Sequence, residues 1–369
     1  MKDIFWCKNC LNMSTRPRIE FDSKGICNAC NWVHEKKKIN WSKKIEIFKK
    51  LVSESKQNSV YDCIVPCSGG KDGTYVANKV KSLGFNPLMV TVRPHLESEV
   101  GKKNLDNFLK HNNFAHHLIS INYEVMREFN KYGLINKGSP YYGWLIGMHT
   151  AVIRLALDLN IGLIIYGEDG ELEYGGTTKN KNKTEYSIEY IKHEMIEGDY
   201  LKAIKNSKFT KNELHLITFP SDIELKEKKL KFTHWSYFEN WDPYRNYMFA
   251  KKNSKLGESE SSNTGTFTNF AQNDQELFAI YMYFMYIKFG FGRATQDAGI
   301  EIRRGAMTRS QAINLVKIYD NSYPKEFVKT YLDYYQLTIK EFNEIIDKWV
   351  NKNLFEKTKN GWQPKFKII

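Results

Sequence analysis

Between residues 61 and 166 the apolar positions follow two periods in turn. Residues 61–67 (YDCIVPC), Pro87–Val92, 117–121 and 161–166 are short apolar runs bounded by Gly, Pro, Asn or Asp, and they predict strands. Residues 74–80, 98–112 and 144–159 carry the spacing of helices, the last of them strongly apolar. Strand and helix in alternation predict an α/β fold: a Rossmann-like parallel sheet covered on both faces. Beyond this block the pattern loosens. Residues 167–183, rich in Gly, Thr, Asn and Lys, read as a mobile loop; 184–205 read as an amphipathic helix; 214–219 read as a further strand; and 251–273, rich in Ser, Gly, Asn and Thr, read as a loop or lid. From residue 274 the spacing is helical, through 276–289, 308–319 and 324–335. The last helix opens on the capping box Thr338-Ile339-Lys340-Glu341. Three regions follow: 1–40, 41–270 and a C-terminal helical region 271–369, with no internal repeat.

Composition sharpens this picture little. Hydrophobic residues at 41% and aromatics at 14% are ample for a packed core, which excludes wholesale disorder. No apolar run approaches the roughly 20 residues that span a bilayer. The opening MKDIFWCKNC lacks the basic and apolar regions of a signal peptide, so the expected compartment is the cytoplasm. A net charge of +13 raises the question of a polyanionic partner. A Lys-dominated, Asn-rich balance also arises from an AT-rich genome, and the Lys-rich stretch 34–50 reads equally as a solvated helix face.

The cysteines change more. All six lie in the first 67 residues: Cys7, Cys10, Cys27, Cys30, Cys63 and Cys67. The first four form two Cys-x-x-Cys pairs separated by sixteen residues, the spacing of a tetrahedral four-thiolate zinc site. So short a segment folds on metal-binding free energy, giving an N-terminal zinc-ribbon-like unit with structural Zn²⁺. An autonomous unit of this kind would unfold on chelation before the rest of the chain is affected. Cys63 and Cys67 lie four apart on a predicted strand and so on one face.

The strand 61–67 runs directly into Ser68-Gly69-Gly70-Lys71-Asp72-Gly73 and then into a helix. Two glycines let main-chain N–H groups approach an anion, and the helix adds its positive end. Ser68 offers a hydroxyl, Lys71 a positive charge, and Asp72 a carboxylate for Mg²⁺ bridging phosphate oxygens. The loop is too short for the Walker A form. Glu168 and Asp169 follow the strand 161–166, at the carboxyl edge where open α/β sheets bind ligands. They read as Mg²⁺ ligands, as groups orienting ammonia and substrate, or as carboxylates capping a turn. Arg293, Asp297, Arg303 and Arg304 read either as a phosphate- or carboxylate-recognising cluster or as an ion-pair network. His149 reads as a core or pocket-lining residue, and the aromatic run 281–291 as core.

The SGGKDG loop resembles the pyrophosphate loop of the ATP pyrophosphatase superfamily, of the adenine nucleotide alpha hydrolase-like fold. Further stretches extend the resemblance: the cysteine pairs, Gly167-Glu168-Asp169 with Glu173-Tyr174-Gly175-Gly176, and Phe289-Gly290-Phe291-Gly292-Arg293-Ala294-Thr295-Gln296-Asp297-Ala298 running on through Glu301-Ile302-Arg303-Arg304-Gly305 to Thr308-Arg309. Together they resemble the bacterial N-acetyl sugar amidotransferases, which turn an acetamido group of a surface-polysaccharide or pseudaminic-type sugar into an acetamidino group. The resemblance implies ATP held by Ser68 to Thr74, catalytic Lys71, Asp72, Glu168 and Asp169, and an acceptor sugar held by Tyr174, Arg293, Asp297, Arg303 and Arg304. It also implies a glutaminase subunit and a subunit similar to the histidine-pathway cyclase that supply ammonia. The loop ends in Asp72-Gly73 where the commoner form has Asp-Ser, so the phosphate hydroxyl contact would be missing or would come from Thr74. The main rival is a tRNA thiolase, which shares the loop and would suit the charge, but many of these need cysteines after the loop and this chain has none beyond Cys67. A non-enzymatic zinc-ribbon interaction protein is the third reading.

Overall fold

The computed structural model describes residues 4–196, 198, 200–359 and 361–368. Five strands form one parallel sheet: β1 (Cys63–Pro66), β2 (Pro87–Val92), β3 (His116–Ile119), β4 (Leu163–Tyr166) and β5 (Lys231–His234), in the order β3-β2-β1-β4-β5. Residues of β2 and β4 are buried throughout, as both-face coverage requires. The helices of this region are α1 (Asn28–Lys36), α2 (Trp41–Ser55), α3 (Lys71–Ser82), α4 (Glu99–His111), α5 (Tyr123–Lys137), α6 (Tyr142–Asp158) and α7 (Gly170–Tyr174). The chain moves outward from β1 to β3, then crosses back to β4. Right-handed crossovers therefore place α3 and α4 on one face and α6 on the other. The reversal lies between β1 and β4, so a crevice opens beyond their carboxyl ends. The predicted α/β architecture is the one the chain forms.

Elsewhere the structure departs from the pattern. Residues 214–219 form no strand. His215–Ile217 is a 3-10 turn whose backbone is engaged by side chains of α6: Thr150 Oγ1 donates to the Leu216 carbonyl at 2.6 Å and Arg154 Nε to that of Thr218 at 2.9 Å. The fifth strand is instead Lys231–His234, too short and too polar at its ends to stand out. The helix expected over 184–205 breaks into Ile188–Tyr190, a π turn Ile191–Met195 and Tyr200–Lys205, with Gly198 at φ +86° between; Glu197 and Asp199 lie outside the described residues. A helix, Pro243–Ser254, occupies the start of the expected lid; Asp242 caps it and Pro243 opens it.

The C-terminal region packs helices Leu277–Phe289, Arg293–Arg303, Arg309–Tyr319, Val328–Tyr335 and Ile339–Trp349 around a second core built on Phe284, Tyr331, Tyr335 and Phe342. The capping box at Thr338 forms as read. A hairpin of β6 (Phe355–Thr358) and β7 (Gly361–Pro364) ends the region, which is therefore not wholly helical. No described helix is long and apolar enough to cross a membrane.

Candidate active site

The loop leaving β1 turns back sharply at Gly69, whose φ is +80° and whose Cβ, were it present, would stand 2.5 Å from the Leu105 Cα. Only glycine fits there. Gly70 caps α3, so the unpaired N–H groups of its first turn face the crevice. Lys71 and Asp72 are ion-paired, and Asn246, from helix Pro243–Ser254, donates to Asp72 Oδ1 at 2.9 Å. The Ser68 hydroxyl bonds the half-buried Asp274, whose carboxyl is raised to about 6 by desolvation. Thr74 does not take the role expected of it. It is fully buried beside Cys67 and lines neither cavity of the crevice, so it offers phosphate no hydroxyl.

At the end of β4 two adjacent carboxylates part. Glu168 faces the crevice. Burial and the nearby charge of Asp72 raise its carboxyl to about 7, against the pull of Lys71 and Arg293, and the Tyr174 hydroxyl lies 3.4 Å from its Oε1. Asp169 turns inward instead. It caps α7 by accepting from the Glu171 N–H at 3.1 Å, and it accepts the hydroxyls of Tyr190 at 3.1 Å and Tyr237 at 2.7 Å. With both oxygens engaged, Asp169 is a structural cap, while the Glu168 carboxylate stays open to the crevice.

Glu168 supplies a pH test. Below the ordinary carboxylate pKa of 4.5 it is neutral in both folded and unfolded chains; between 4.5 and about 7 the unfolded chain ionises first. Stability is therefore lost as pH rises through about 7. Glu168→Gln is expected to flatten the fall in melting temperature between pH 5 and pH 8. Equal falls in the two proteins would refute the buried ionisation.

Arg293 opens helix Arg293–Arg303 and reaches the same crevice, its guanidinium 5.5 Å from the Tyr174 ring centre and ion-paired to Asp297 at 2.8 Å. Asp297 also accepts from Thr266 Oγ1 at 2.6 Å, so it positions Arg293 rather than meeting a ligand. The start of this helix is held from outside by Asp320, which accepts from the Gly292 N–H at 2.8 Å, the Thr295 N–H at 3.1 Å and the Thr295 hydroxyl at 2.5 Å. The expected four-residue cluster is divided by the helix. Arg303 bonds the Glu173 carbonyl at 3.0 Å, and Arg304 pairs with Glu301 at 2.9 Å. Both line a separate cavity of about 400 Å³ with Lys36 and Trp241.

The crevice holds a cavity of about 550 Å³ bordered by Ser68, Asp72, Glu168, Tyr174, Arg293 and Arg16. A smaller one of about 170 Å³ shares its wall and adds Gly70, Lys71 and Asn104. Asp274, Asp320 and Arg16 escaped the sequence reading, because each acts on residues far away along the chain. Only the position of Asp274 at the end of the expected lid hinted at its place. His149 lines the large cavity but is buried, bonded to the Tyr166 hydroxyl at 3.1 Å and pushed down to about 3 by burial, so it stays neutral.

Cys7, Cys10, Cys27 and Cys30 converge with all four sulfurs within 4.8 Å of one another. Cys7 and Cys30 stand 3.9 Å apart and Cys10 and Cys27 3.6 Å, close to the ~3.8 Å edge of a zinc–sulfur tetrahedron. Asn9 and Asn12 side chains and the Asn12 and Cys27 N–H groups donate to the sulfurs at 3.2–3.4 Å, as a second shell around thiolates does. The cluster fits a structural metal ion. The unit is docked rather than free: Lys36 pairs with Glu173 at 2.8 Å, Arg18 with Glu171 at 2.7 Å, and Asn12 Nδ2 donates to the Tyr174 carbonyl at 3.0 Å. Gly175, at φ +96°, leaves room for that asparagine. Cys63 and Cys67 are buried, and burial pushes both thiols up, Cys67 to about 12, which leaves no reactive thiolate on the strand.

Residues 264–367 match the family described as "LPS biosynthesis protein WbpG-like, C-terminal domain". No curated protein matches the chain. Among solved structures, the "predicted subunit of tRNA methyltransferase from Methanocaldococcus jannaschii DSM" aligns over 63% of this chain and 90% of that one, at 13% identity and a TM-score of 0.29. The matched segment supports a place in a polysaccharide-biosynthesis family, and it contains Asp274, Arg293, Gln296 and Asp320.

Proposed function

We propose that the chain is an ATP-dependent amidotransferase of surface-polysaccharide biosynthesis. It transfers AMP from ATP to the amide oxygen of an N-acetyl group on a sugar, and ammonia then displaces AMP to leave an acetamidino group. The observation that carries this reading is that the glycine-rich loop and the polysaccharide-family segment share one cavity: Arg293 and Gln296 of the latter stand with Ser68 and Asp72 of the former.

An amide is a poor electrophile, and oxide does not leave from carbon. Attack of the amide oxygen on the α-phosphorus releases pyrophosphate and creates an imidate whose leaving group is AMP. Lys71 and the first N–H groups of α3 would neutralise the charge gathering on the phosphates. Asp72 spends one bond each on Lys71 and Asn246 and keeps lone pairs toward the cavity, so it could hold Mg²⁺, which would supply charge neutralisation on phosphate oxygens. Glu168, with its carboxyl near 7, is matched to accept the proton that ammonia sheds as it attacks the imidate carbon. Arg293, Tyr174 and the apolar wall of Val65, Val90 and Met148 would orient the acceptor and exclude water.

The chain has no thiolate suited to glutamine hydrolysis among its described residues, since four cysteines cluster and two are buried. Ammonia would then come from a glutaminase subunit working with a cyclase-like subunit. The test is mass spectrometry of candidate N-acetylated nucleotide sugars and nonulosonates incubated with ATP and ammonium salts. The expected product carries the mass change of C=O becoming C=NH, together with AMP and pyrophosphate, and glutamine alone gives none. Tight, salt-steep tRNA binding with no sugar product would instead favour the thiolase.

A further inference from the structure

We infer that Arg16, supplied by the four-cysteine unit, is the group that recognises an anionic substituent of the acceptor. This deepens the amidotransferase reading and rests on it. Arg16 sits on a turn closed by its own N–H to the Met13 carbonyl at 3.0 Å, beside Thr15, whose hydroxyl donates to the Phe289 carbonyl at 2.5 Å. The turn thus fastens the cysteine unit to the C-terminal helices and aims Arg16 between them. Arg18, two residues on, is answered by Glu171 at 2.7 Å and Glu194 at 3.2 Å. Arg16 has no such answer: no described carboxylate pairs with it, and its Nε is sealed from solvent without a hydrogen-bond partner. Its guanidinium carbon lies 5.6 Å from the centre of the Phe291 ring, which steadies the plane but satisfies none of its N–H groups.

A guanidinium with a sealed, unbonded N–H and no ion-pair partner is costly to hold, and an anion entering the cavity would complete the site. Burial holds the Arg16 pKa below its ordinary value, against the pull of Glu171 and Tyr281, which fits a group poised for such a ligand. The position tells which ligand. Arg16 borders the large cavity with Tyr281, Met285 and Gln296, but not the small one lined by Gly70 and Lys71. It therefore serves the acceptor rather than the phosphates of ATP. A planar guanidinium accepts a carboxylate or a phosphate in bidentate fashion. The ligand is thus a sugar bearing a carboxylate, as in a uronate, or the diphosphate of its nucleotide carrier. Arg16 so takes the recognition role that the sequence suggested for Arg303 and Arg304.

The experiment is calorimetric titration of the full zinc-loaded chain with UDP, UDP-N-acetylglucosamine and its C6-carboxylate counterpart, with ATP as the reference ligand. Arg16→Gln is expected to weaken binding of the anionic probe by about 10- to 100-fold, the worth of hydrogen bonds to a charged group, while leaving the ATP affinity within about twofold. A loss confined to the C6-carboxylate probe assigns the sugar carboxylate; an equal loss for all three UDP probes assigns the diphosphate. Arg16→Lys, which keeps the charge and loses the fork, should fall between, and it serves as the test variant if Arg16→Gln loses zinc. Unchanged probe affinity in both variants, equal loss of ATP affinity, or no binding of any anionic probe by the native chain would each overturn the assignment. The amidotransferase reading fails separately: it falls if probes bind through Arg16 but none gains an amidine with ATP and ammonia.

Discussion

Lys71→Ala is expected to lower ATP-dependent amidine formation by at least about 10²–10³-fold, the usual loss when a preorganised charge-stabilising group is removed. Asp72→Ala should do the same. The pair lies at the mouth of the loop, with side chains 11% and 26% exposed, and both residues border the small cavity beside the α3 N–H groups. Its Coulombic contribution to stability is small at that exposure, about 0–1 kcal/mol, so the melting temperature should move by at most a few degrees. Asp72 also fixes Asn246, hence the angle between α3 and helix Pro243–Ser254. Its alanine variant should therefore lose some rigidity in that helix, visible as faster amide exchange there. The readout is exchange of labelled pyrophosphate into ATP in the presence of a productive sugar, followed by product mass. Near-native turnover in either variant would sink the role given to the loop.

The second large effect concerns the metal. A structural four-thiolate zinc contributes about 10–16 kcal/mol of binding free energy near neutral pH, nearly all of it spent in folding the unit that holds it. Chelation, or Cys27→Ser, is expected to unravel residues 4–36, and the structure says that this does not stop at the unit. Glu173 receives Lys36 at 2.8 Å and the Trp32 Nε1–H at 3.1 Å, Glu171 receives Arg18, and the Tyr174 and Gly176 carbonyls receive Asn12 at 3.0 Å and Asn28 at 2.5 Å. Almost the whole of α7 and the turn after it is thus held by the cysteine unit, and α7 carries Tyr174 against Glu168 and Arg293. The sequence alone suggested that the unit would unfold before ATP binding suffers. The contacts predict instead that acceptor binding is lost together with zinc, while ATP, which on the proposed reading would be held by the loop between β1 and α3, should bind more weakly but be retained. Zinc release followed by a chromogenic chelator, with parallel titrations of ATP and a nucleotide sugar, separates the cases. Undiminished sugar affinity in the metal-free chain would show that the unit is not part of the site.

Legibility differed from residue to residue, for reasons that can be stated. The loop 68–73 was readable because its geometry is local: a strand, two glycines and a helix start bring the N–H groups, Lys71 and Asp72 together within six residues. The cysteine tetrad was readable because metal geometry imposes the pair spacing. Glu168 and Asp169 were not separable. They are neighbours after the same strand, and their directions depend on Tyr190, Tyr237 and the Ser236 hydroxyl that holds the Asp169 N–H at 3.0 Å. The strand expected at 214–219 failed because side chains of α6 satisfy its carbonyls, a partner that no local pattern announces.

What the sequence determined by itself is therefore everything carried by short-range stereochemistry: the alternation that makes a parallel sheet, the glycine-rich turn into α3, the four-cysteine cluster and the capping box at Thr338. What only the tertiary structure decided is which charges face a common space. Arg293 and Arg303 lie at opposite ends of one helix, about 15 Å apart at 1.5 Å per residue, and so belong to different cavities. Arg16 reaches the large cavity across more than 250 residues of intervening chain, because the cysteine unit docks on the C-terminal helices. A charge is stable in a buried place only where the whole fold supplies its counterpart or leaves room for a ligand to do so, and that balance is set by contacts far apart in the chain.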